Sequence, residues 1–231
     1  MTKLGIIGGI GPEATVDYYL SIIKQYQQSM GNQQVLPEIT IESINMYHMF
    51  ALLQDKKYDQ VVAYLKTAVD HLEAAGADFA IMCGNTPHIV FEQLQQQTNL
   101  PLMSMVETSV AEAQRLGLKR LGLLGTRFTM ENDFFVAPFE RAGIEIKIPN
   151  PDEINFIHEK IVSELENGIV KPETKKQLLA IAERMISANH LDGIILGCTE
   201  LPLILKPEDF NVETFDITKI HIAAIVKELI K

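Results

Sequence analysis

Residues 3–9 read KLGIIGG, and residues 120–126 repeat the same pattern as RLGLLGT. In each copy an apolar run of strand length ends in a turn that contains glycine. A second pair of matching segments, DFAIMCGNT (78–86) and DGIILGCTE (192–200), ends in a turn that contains cysteine. The copies are 117 residues apart in the first pair and 114 in the second. This nearly constant spacing indicates an internal duplication of one strand-and-helix unit.

Strands and helices are predicted to alternate along the chain. The apolar runs predict strands at residues 4–7, 39–44, 78–82, 101–105, 120–124, 144–148 and 193–196. Helical periodicity predicts helices from residue 12 and at residues 59–75, 106–115, 130–142, 155–166, 172–188 and 216–231. The periodic apolar residues of the first helix are Val16, Tyr19, Leu20 and Ile23, and those of the second are Val62, Leu65, Val69 and Leu72.

This order predicts an α/β fold of two Rossmann-like lobes, each a parallel sheet flanked by helices, related by a pseudo-twofold axis. We assign residues 1–98 and 209–231 to the first lobe and residues 99–208 to the second, because the last helix is expected to pack back on the first lobe. Ligands of parallel sheets bind at the carboxyl ends of the strands, where every glycine or cysteine turn lies. We therefore expect the active site in the cleft between the lobes.

The composition of the chain indicates which kinds of binding partner and which cellular compartment to expect. The chain has 231 residues, of which 47% are hydrophobic and 22% charged, as in ordinary globular proteins. A net charge of -10 argues against a nucleic-acid surface, and no segment has the apolar length of a membrane span. Two cysteines and an amino terminus without a secretory signal pattern favour a reducing compartment. We predict a cytoplasmic protein with neither nucleic-acid nor membrane partners.

The first turn resembles a dinucleotide-binding motif, because residues 9–14 (GIGPEA) fit the Gly-x-Gly-x-x-Gly/Ala pattern between a strand and a helix. Pro12 has no amide hydrogen and Glu13 adds negative charge, so both weaken a pyrophosphate site. A plain tight turn is the stronger interpretation. Amides of this turn, at Gly9 and Ile10, remain candidates for binding a carboxylate at the helix start.

The second cysteine turn carries the main chemical candidate. Cys198 is followed by Thr199 and Glu200, polar residues at a place where a packing role would favour apolar ones. A small buried side chain is the alternative interpretation of this cysteine. If the thiol is a base, we expect its pKa to be lowered so that thiolate forms near neutral pH.

The first cysteine turn is offset by one residue. Aligning Asp78 with Asp192 places Gly84, not Cys83, opposite Cys198. Side chains alternate between the faces of a strand, so Cys83 is expected to point away from the side of Gly84 unless the backbone bulges.

Amide and hydroxyl donors occur in several of these turns, namely Asn85, Thr86, Thr126 and Thr129. Such donors suit a carboxylate better than a phosphate, which usually recruits Lys or Arg. The six histidines show no paired metal-ligand spacing, and no Cys-x-x-Cys is present, so we predict no metal site.

Five segments in order resemble the aspartate/glutamate racemase family, and in particular its aspartate racemase-like branch. They are GGIGPEAT (8–15), CGNTPH (83–88), LGTRFTM (124–130), GCTEL (197–201) and FDITKIH (215–221). The resemblance implies racemisation of aspartate, glutamate or a related amino acid by two acid/base groups on opposite faces of the α-carbon, without pyridoxal phosphate or another cofactor. It also implies a homodimer.

The resemblance assigns roles to individual residues. Cys198 matches the second catalytic thiol of the family, and Cys83 is the candidate for the first. The substrate-binding positions that the resemblance carries over are Asn85, Thr86 and Thr199. The other predicted substrate-binding residues lie in the same turns and are Gly9, Ile10, Gly84, Thr126, Thr129 and Glu200.

One departure keeps alternative functions open. The family pattern places cysteine next to the asparagine, whereas here Gly84 precedes Asn85 and Cys83 lies one residue back. The alternatives are a one-thiol decarboxylase or isomerase of a small dicarboxylic acid, as in the similar arylmalonate decarboxylases, and a non-catalytic amino-acid binder.

Overall fold

The computed structural model describes residues 2–231 and divides the chain into two compact units. Unit 1 runs to Thr108 and also includes His221–Lys231, and unit 2 is Ser109–Ile220. Each unit contains one sheet in which every strand pair is parallel. The predicted fold class of two parallel α/β sheets flanked by helices is thereby confirmed.

Unit 1 has a three-stranded sheet of order β2-β1-β3. Its elements are β1 (Lys3–Gly8), α1 (Pro12–Met30), β2 (Glu38–Ser43), α2 (Met46–Gln54), α3 (Tyr58–Ala74), β3 (Phe79–Met82), a 3-10 helix (Thr86–Val90) and α4 (Phe91–Gln96). The central strand β1 is apolar because it is covered on both faces, and Leu4, Ile6 and Ile7 are fully buried. Helix α5 (Met105–Arg115) begins in this unit.

Unit 2 has a four-stranded sheet of order β5-β4-β6-β7. Its elements are β4 (Arg120–Leu124), α6 (Arg127–Glu131), α7 (Asp133–Arg141), β5 (Glu145–Lys147), α8 (Pro151–Ser163), a 3-10 helix (Leu165–Asn167), α9 (Pro172–Asn189), β6 (Gly193–Leu196), α10 (Leu201–Ile204), a second 3-10 helix (Pro207–Asp209) and β7 (Glu213–Asp216). Helix α11 (Ile217–Leu229) begins here and ends in unit 1.

In each unit, an aspartate at the equivalent position forms hydrogen bonds with the first residue of an inner strand. Asp78 accepts a hydrogen bond of 2.7 Å from the Lys3 amide, and Asp192 accepts one of 2.8 Å from the Arg120 amide. The amides of the aspartates donate in return to the carbonyl oxygens of the same two residues. The two sheets are therefore built in the register predicted from the aligned sequences.

Helices α1 and α3 differ in how their apolar residues are used. In α3 the four periodic residues, Val62, Leu65, Val69 and Leu72, are all buried. In α1 the buried side is Ala14, Tyr18, Ile22 and Tyr26. Val16 and Leu20, whose spacing indicated the helix, are each 58% exposed, because α1 is apolar on two sides and only one covers the sheet.

Two predicted elements were wrong in detail, and one strand was not predicted. Residues 101–105 form a single parallel bridge, Leu102 to Ala80, instead of a strand, because α5 begins at Met105. The helix predicted at 130–142 is two helices that meet at Asn132, whose backbone is extended and whose side chain donates to the Phe128 carbonyl oxygen. The chain enters α11 from strand β7, which the sequence did not predict.

Among residues 2–231, no helix combines the length and the apolar character that crossing a membrane requires.

Candidate active site

The turn after β3 (residues 83–86, the Gly84 turn) and the turn after β6 (residues 197–200, the Cys198 turn) occupy equivalent positions in their sheets. The Cys83 amide donates to the Ile7 carbonyl oxygen at 3.1 Å, and the Gly197 amide donates to that of Leu124 at 2.7 Å. Cys83 thus corresponds to Gly197, and Gly84 corresponds to Cys198. The one-residue offset of the two thiols is a feature of the fold as well as of the sequence.

Cys83 lies inside unit 1. Its side chain is fully buried and forms no disulfide. Burial raises the pKa of the Cys83 thiol far above its ordinary value, and the charge of Asp17 raises it further. No solvent reaches this thiol, and it stays protonated.

Gly84 leaves no room for a side chain at the position equivalent to Cys198. A Cβ added at Gly84 would lie 2.8 Å from Ile10 Cγ2 and 3.2 Å from the Ile10 carbonyl oxygen. Ile10 itself is buried in the apolar core of unit 1. The first turn therefore packs directly against the Gly84 turn, and this packing requires glycine.

The remaining polar residues of the Gly84 turn, Asn85 and Thr86, are half-buried.

The first turn of the chain uses its amide donors differently. The Gly9 amide donates to Thr15 Oγ1 at 2.9 Å, and Gly9 has a positive φ of 76° that favours glycine. The Gly9 amide is thus already used within the turn.

In unit 2, Thr126 and Thr129 form a cap on α6. The Thr126 hydroxyl accepts a hydrogen bond from the Thr129 amide at 3.4 Å, and the two hydroxyl oxygens are 3.3 Å apart. Thr129 is buried, whereas Thr126 is half-buried. The neighbouring Arg127 donates to Asn155 Oδ1 and is exposed. Thr126 is the more accessible hydroxyl of the pair.

The Cys198 turn holds a hydrogen-bonded group of three side chains. The Cys198 thiol donates to Glu200 Oε2 at 2.7 Å, and the Thr199 hydroxyl donates to Glu200 Oε1 at 2.7 Å. All three side chains are half-buried. Each oxygen of one carboxylate thus has its own donor, which fixes the orientation of the carboxylate.

The thiol of Cys198 is neutral at rest. Burial raises its pKa well above the ordinary value, and the negative charge and hydrogen bond of Glu200 raise it further. The lowered pKa expected of a Cys198 thiol that acts as a base was therefore wrong. The reasons are that burial disfavours the thiolate and that the polar neighbour of Cys198 is a carboxylate, which stabilises the protonated thiol.

A second carboxylate acts on the Cys198 turn. Glu166, in the 3-10 helix before α9, contributes to the raised pKa of the Cys198 thiol. Although Glu166 is exposed at the surface, partial desolvation and the charge of Glu200 raise its pKa. The sequence reasoning missed Glu166, since it lies 34 residues before Glu200 in a helical segment and carries no motif.

The structure brings the predicted site residues together in three groups. These are Cys198 with Thr199 and Glu200, Thr126 with Thr129, and Gly84 with Asn85 and Ile10. The structure does not bring Cys83 to an accessible surface. Within the described part of the chain, no three His, Cys, Asp or Glu side chains are grouped as a metal site.

Comparison with known proteins shows which protein family has this sequence and fold. The family model of Asp/Glu/hydantoin racemases matches residues 7–225. The chain belongs to this racemase family. The resemblance drawn from the five sequence segments is thereby confirmed.

Individual relatives in the racemase family cover 92–100% of the chain. The broad specificity amino-acid racemase RacX of Bacillus subtilis is 25% identical over 218 residues, which is 92% of each protein. The crystal structure of an aspartate racemase homologue from Pyrococcus horikoshii is 33% identical and superposes with a TM-score of 0.90 over 100% of both chains. The aspartate racemase of Picrophilus torridus shares the fold, with 22% identity and a TM-score of 0.74 over 99% of this chain and 94% of its own.

In sequence, the glutamate racemases align with a smaller part of the chain. The glutamate racemase of Aquifex aeolicus is 26% identical over 152 residues, which is 64% of this chain and 56% of that enzyme. Sequence similarity over most of the chain is found with RacX and with the Pyrococcus horikoshii homologue.

Proposed function

We propose that this chain is a cofactor-independent amino-acid racemase in which the Cys198 thiol exchanges the α-proton of the substrate. The observation that carries the proposal is the 2.7 Å hydrogen bond from Cys198 to Glu200 at the carboxyl end of β6. A thiol at a strand end, beside a carboxylate able to take its proton, has the components of an acid/base pair. Membership of the racemase family supports the same chemistry.

Glu200 has a defined part in this chemistry. When the thiol proton passes to Glu200, the resulting thiolate can remove the α-proton and leave a carbanion stabilised by the substrate carboxylate. Return of a proton to the carbanion completes the exchange. Because burial and Glu200 raise the pKa of the Cys198 thiol, the thiolate is a strong base once formed.

The substrate class is proposed as a free α-amino acid. Asn85, Thr86 and Thr199 are the positions carried over from the family for the α-carboxylate and amino group. The broad specificity of RacX supports a test of neutral and basic amino acids beside aspartate and glutamate.

The proton of the other face needs a second carrier. The sequence left Cys83 or water as the carrier, and the full burial of Cys83 supports water. We therefore propose a one-thiol racemase, with the homodimer as a further expectation. A light-scattering mass near one chain, 25.9 kDa, at micromolar concentration would contradict the dimer.

A one-thiol decarboxylase or isomerase of a small dicarboxylic acid is the second candidate. It is favoured by a different observation, that Gly84 and its contact with Ile10 leave no side chain at the position equivalent to Cys198 in the repeat. Release of carbon dioxide from malonates, or cis-trans conversion of maleate, would identify it.

The deciding experiment is a chiral screen. Each L- and D-amino acid is incubated with enzyme in deuterated water, and both inversion and α-deuteration are followed by chiral chromatography and mass spectrometry. The proposal predicts inversion of at least one amino acid that is lost in Cys198→Ala. Absence of inversion and deuteration across the panel would reject racemase function.

A further inference from the structure

His88 joins the Gly84 turn to the start of α5. Its ring Nδ1 lies 3.1 Å from the Gly84 carbonyl oxygen and 3.2 Å from that of Asn85. Its Nε2 lies 3.1 Å from the amide nitrogen of Met105. One side chain therefore bridges the turn and the first residue of a helix.

These contacts determine the tautomer. The Met105 amide can only donate, so Nε2 is the acceptor and Nδ1 carries the hydrogen that is donated to the Gly84 carbonyl oxygen. The ring is 4% exposed and stacks on Phe91, with centroids 5.5 Å apart. Burial lowers the pKa of His88 to about 4, which keeps the ring neutral. Both nitrogens are engaged, so His88 is poorly placed to act as an acid or base.

We propose that His88 is a positioning residue that sets the place of the Gly84–Asn85 peptide through its hydrogen bond to the Gly84 carbonyl oxygen. Ile10 packs against one side of Gly84, whereas the Gly84 carbonyl oxygen is held by the His88 ring, and Asn85 follows directly. A shift of this peptide would move the Asn85 side chain that the proposed function assigns to substrate binding. The proposal rests on the proposed function in this one respect.

His221 provides a matched control. It is as deeply buried as His88, and its Nε2 donates to the carbonyl oxygen of Met103, two residues before the contact of His88. Its Nδ1 accepts a hydrogen bond from the Tyr18 hydroxyl. His221 has no hydrogen bond with the Gly84 turn among those described. Substitution of His221 therefore measures the effect of losing a buried histidine near α5 without losing the hydrogen bond to Gly84.

Two substitutions separate the ends of the His88 bridge. His88→Asn places an amide near the position of Nδ1 and can keep the donor to Gly84. His88→Gln reaches the position of Nε2 and can keep the acceptor for Met105, but it loses the donor. Each variant removes the hydrogen bonding of one ring nitrogen. A purely structural role predicts that the two variants lose stability and activity to a similar extent.

We expect His88→Gln to reduce kcat/KM by about 10-fold or more, since misplacement of a binding group lowers the rate steeply. His88→Asn should keep most of the activity at a similar unfolding midpoint. His221→Asn and Phe91→Leu, which leave the Gly84 bond in place, should lower stability with little change in kcat/KM. Equal activity losses in His88→Asn and His88→Gln would overturn the proposal.

A second readout does not depend on turnover. The amide NMR signals of Gly84, Asn85 and Thr86 should move in His88→Gln and stay near wild-type positions in His88→Asn and His221→Asn. If wild-type enzyme racemises nothing, the proposed function fails while this readout still tests the turn. Unmoved signals in folded His88→Gln would overturn the positioning role by themselves.

Discussion

The Cys198 thiol and the Glu200 carboxylate are joined by a 2.7 Å hydrogen bond, and only Thr199 separates the two residues in the chain. The turn after β6 folds the side chains of both residues toward each other. Glu200 raises the pKa of the thiol through its charge as well as its hydrogen bond. The proposed base and its proposed proton acceptor are thus contained in one short turn.

Glu200→Gln should lower the pKa of the Cys198 thiol, because it removes the largest charge contribution and leaves burial as the main cause of the shift. The pH profile of iodoacetamide labelling of Cys198 should therefore move to lower pH, with the labelled residue identified by mass spectrometry. Glu166→Gln is the matched control and should give a smaller movement in the same direction. An unmoved profile in Glu200→Gln would contradict the assigned pair.

Cys198→Ala should abolish α-deuteration of the substrate, whereas Cys83→Ala should leave it largely intact. The reason is that Cys83 is fully buried and remains protonated, while Cys198 is half-buried and has a proton acceptor. Cys83→Ala should cost about 1 kcal/mol of stability through lost packing. Loss of racemisation in Cys83→Ala with an unchanged circular dichroism spectrum would instead favour two working thiols.

Gly84→Ala should destabilise the protein by about 1–3 kcal/mol, because the new methyl group would meet Ile10 Cγ2 at 2.8 Å. Combining it with Ile10→Ala should recover part of the cost that Gly84→Ala adds, as judged by a double-mutant cycle in urea. Gly125→Ala is the control, since its nearest contact is 3.3 Å from Thr129 Cβ. Additive effects of Gly84→Ala and Ile10→Ala would show that the contact is unimportant.

Acid should destabilise the fold through its two buried histidines. Burial lowers the pKa of His88 to about 4 and that of His221 to about 3, from an ordinary value of 6.5. Below about pH 6.5 the histidines bind protons in the unfolded chain but stay neutral in the folded chain. The contribution to stability is therefore complete above about pH 6.5 and decreases as the pH falls toward the pKa of the folded state. The loss should be on the order of 3 kcal/mol for His88.

Urea midpoints between neutral pH and about pH 4 measure this effect. His88→Asn and His221→Gln, which have no titrating ring, should each flatten the pH dependence. A slope that neither substitution changes would assign the acid sensitivity to other groups.

Much of the fold follows from local patterns. The apolar runs that end in glycine predicted β1, β3, β4 and β6, because a strand covered on both faces must be apolar throughout. Periodicity predicted α3 and its buried face, and the repeat spacing predicted the shared register of the two sheets. These features depend on the period of a single element or on matching segments, and the sequence contains both.

By itself the sequence determined the family, the parallel sheets and the one-residue offset between Cys83 and Cys198. Tertiary structure decided which side of α1 is buried, because both sides are apolar and only packing against the sheet selects one. It also decided that Glu200 faces Cys198 and that Ile10 fills the space beside Gly84. These contacts depend on how each turn closes and what packs against it, and no periodic pattern encodes that closure.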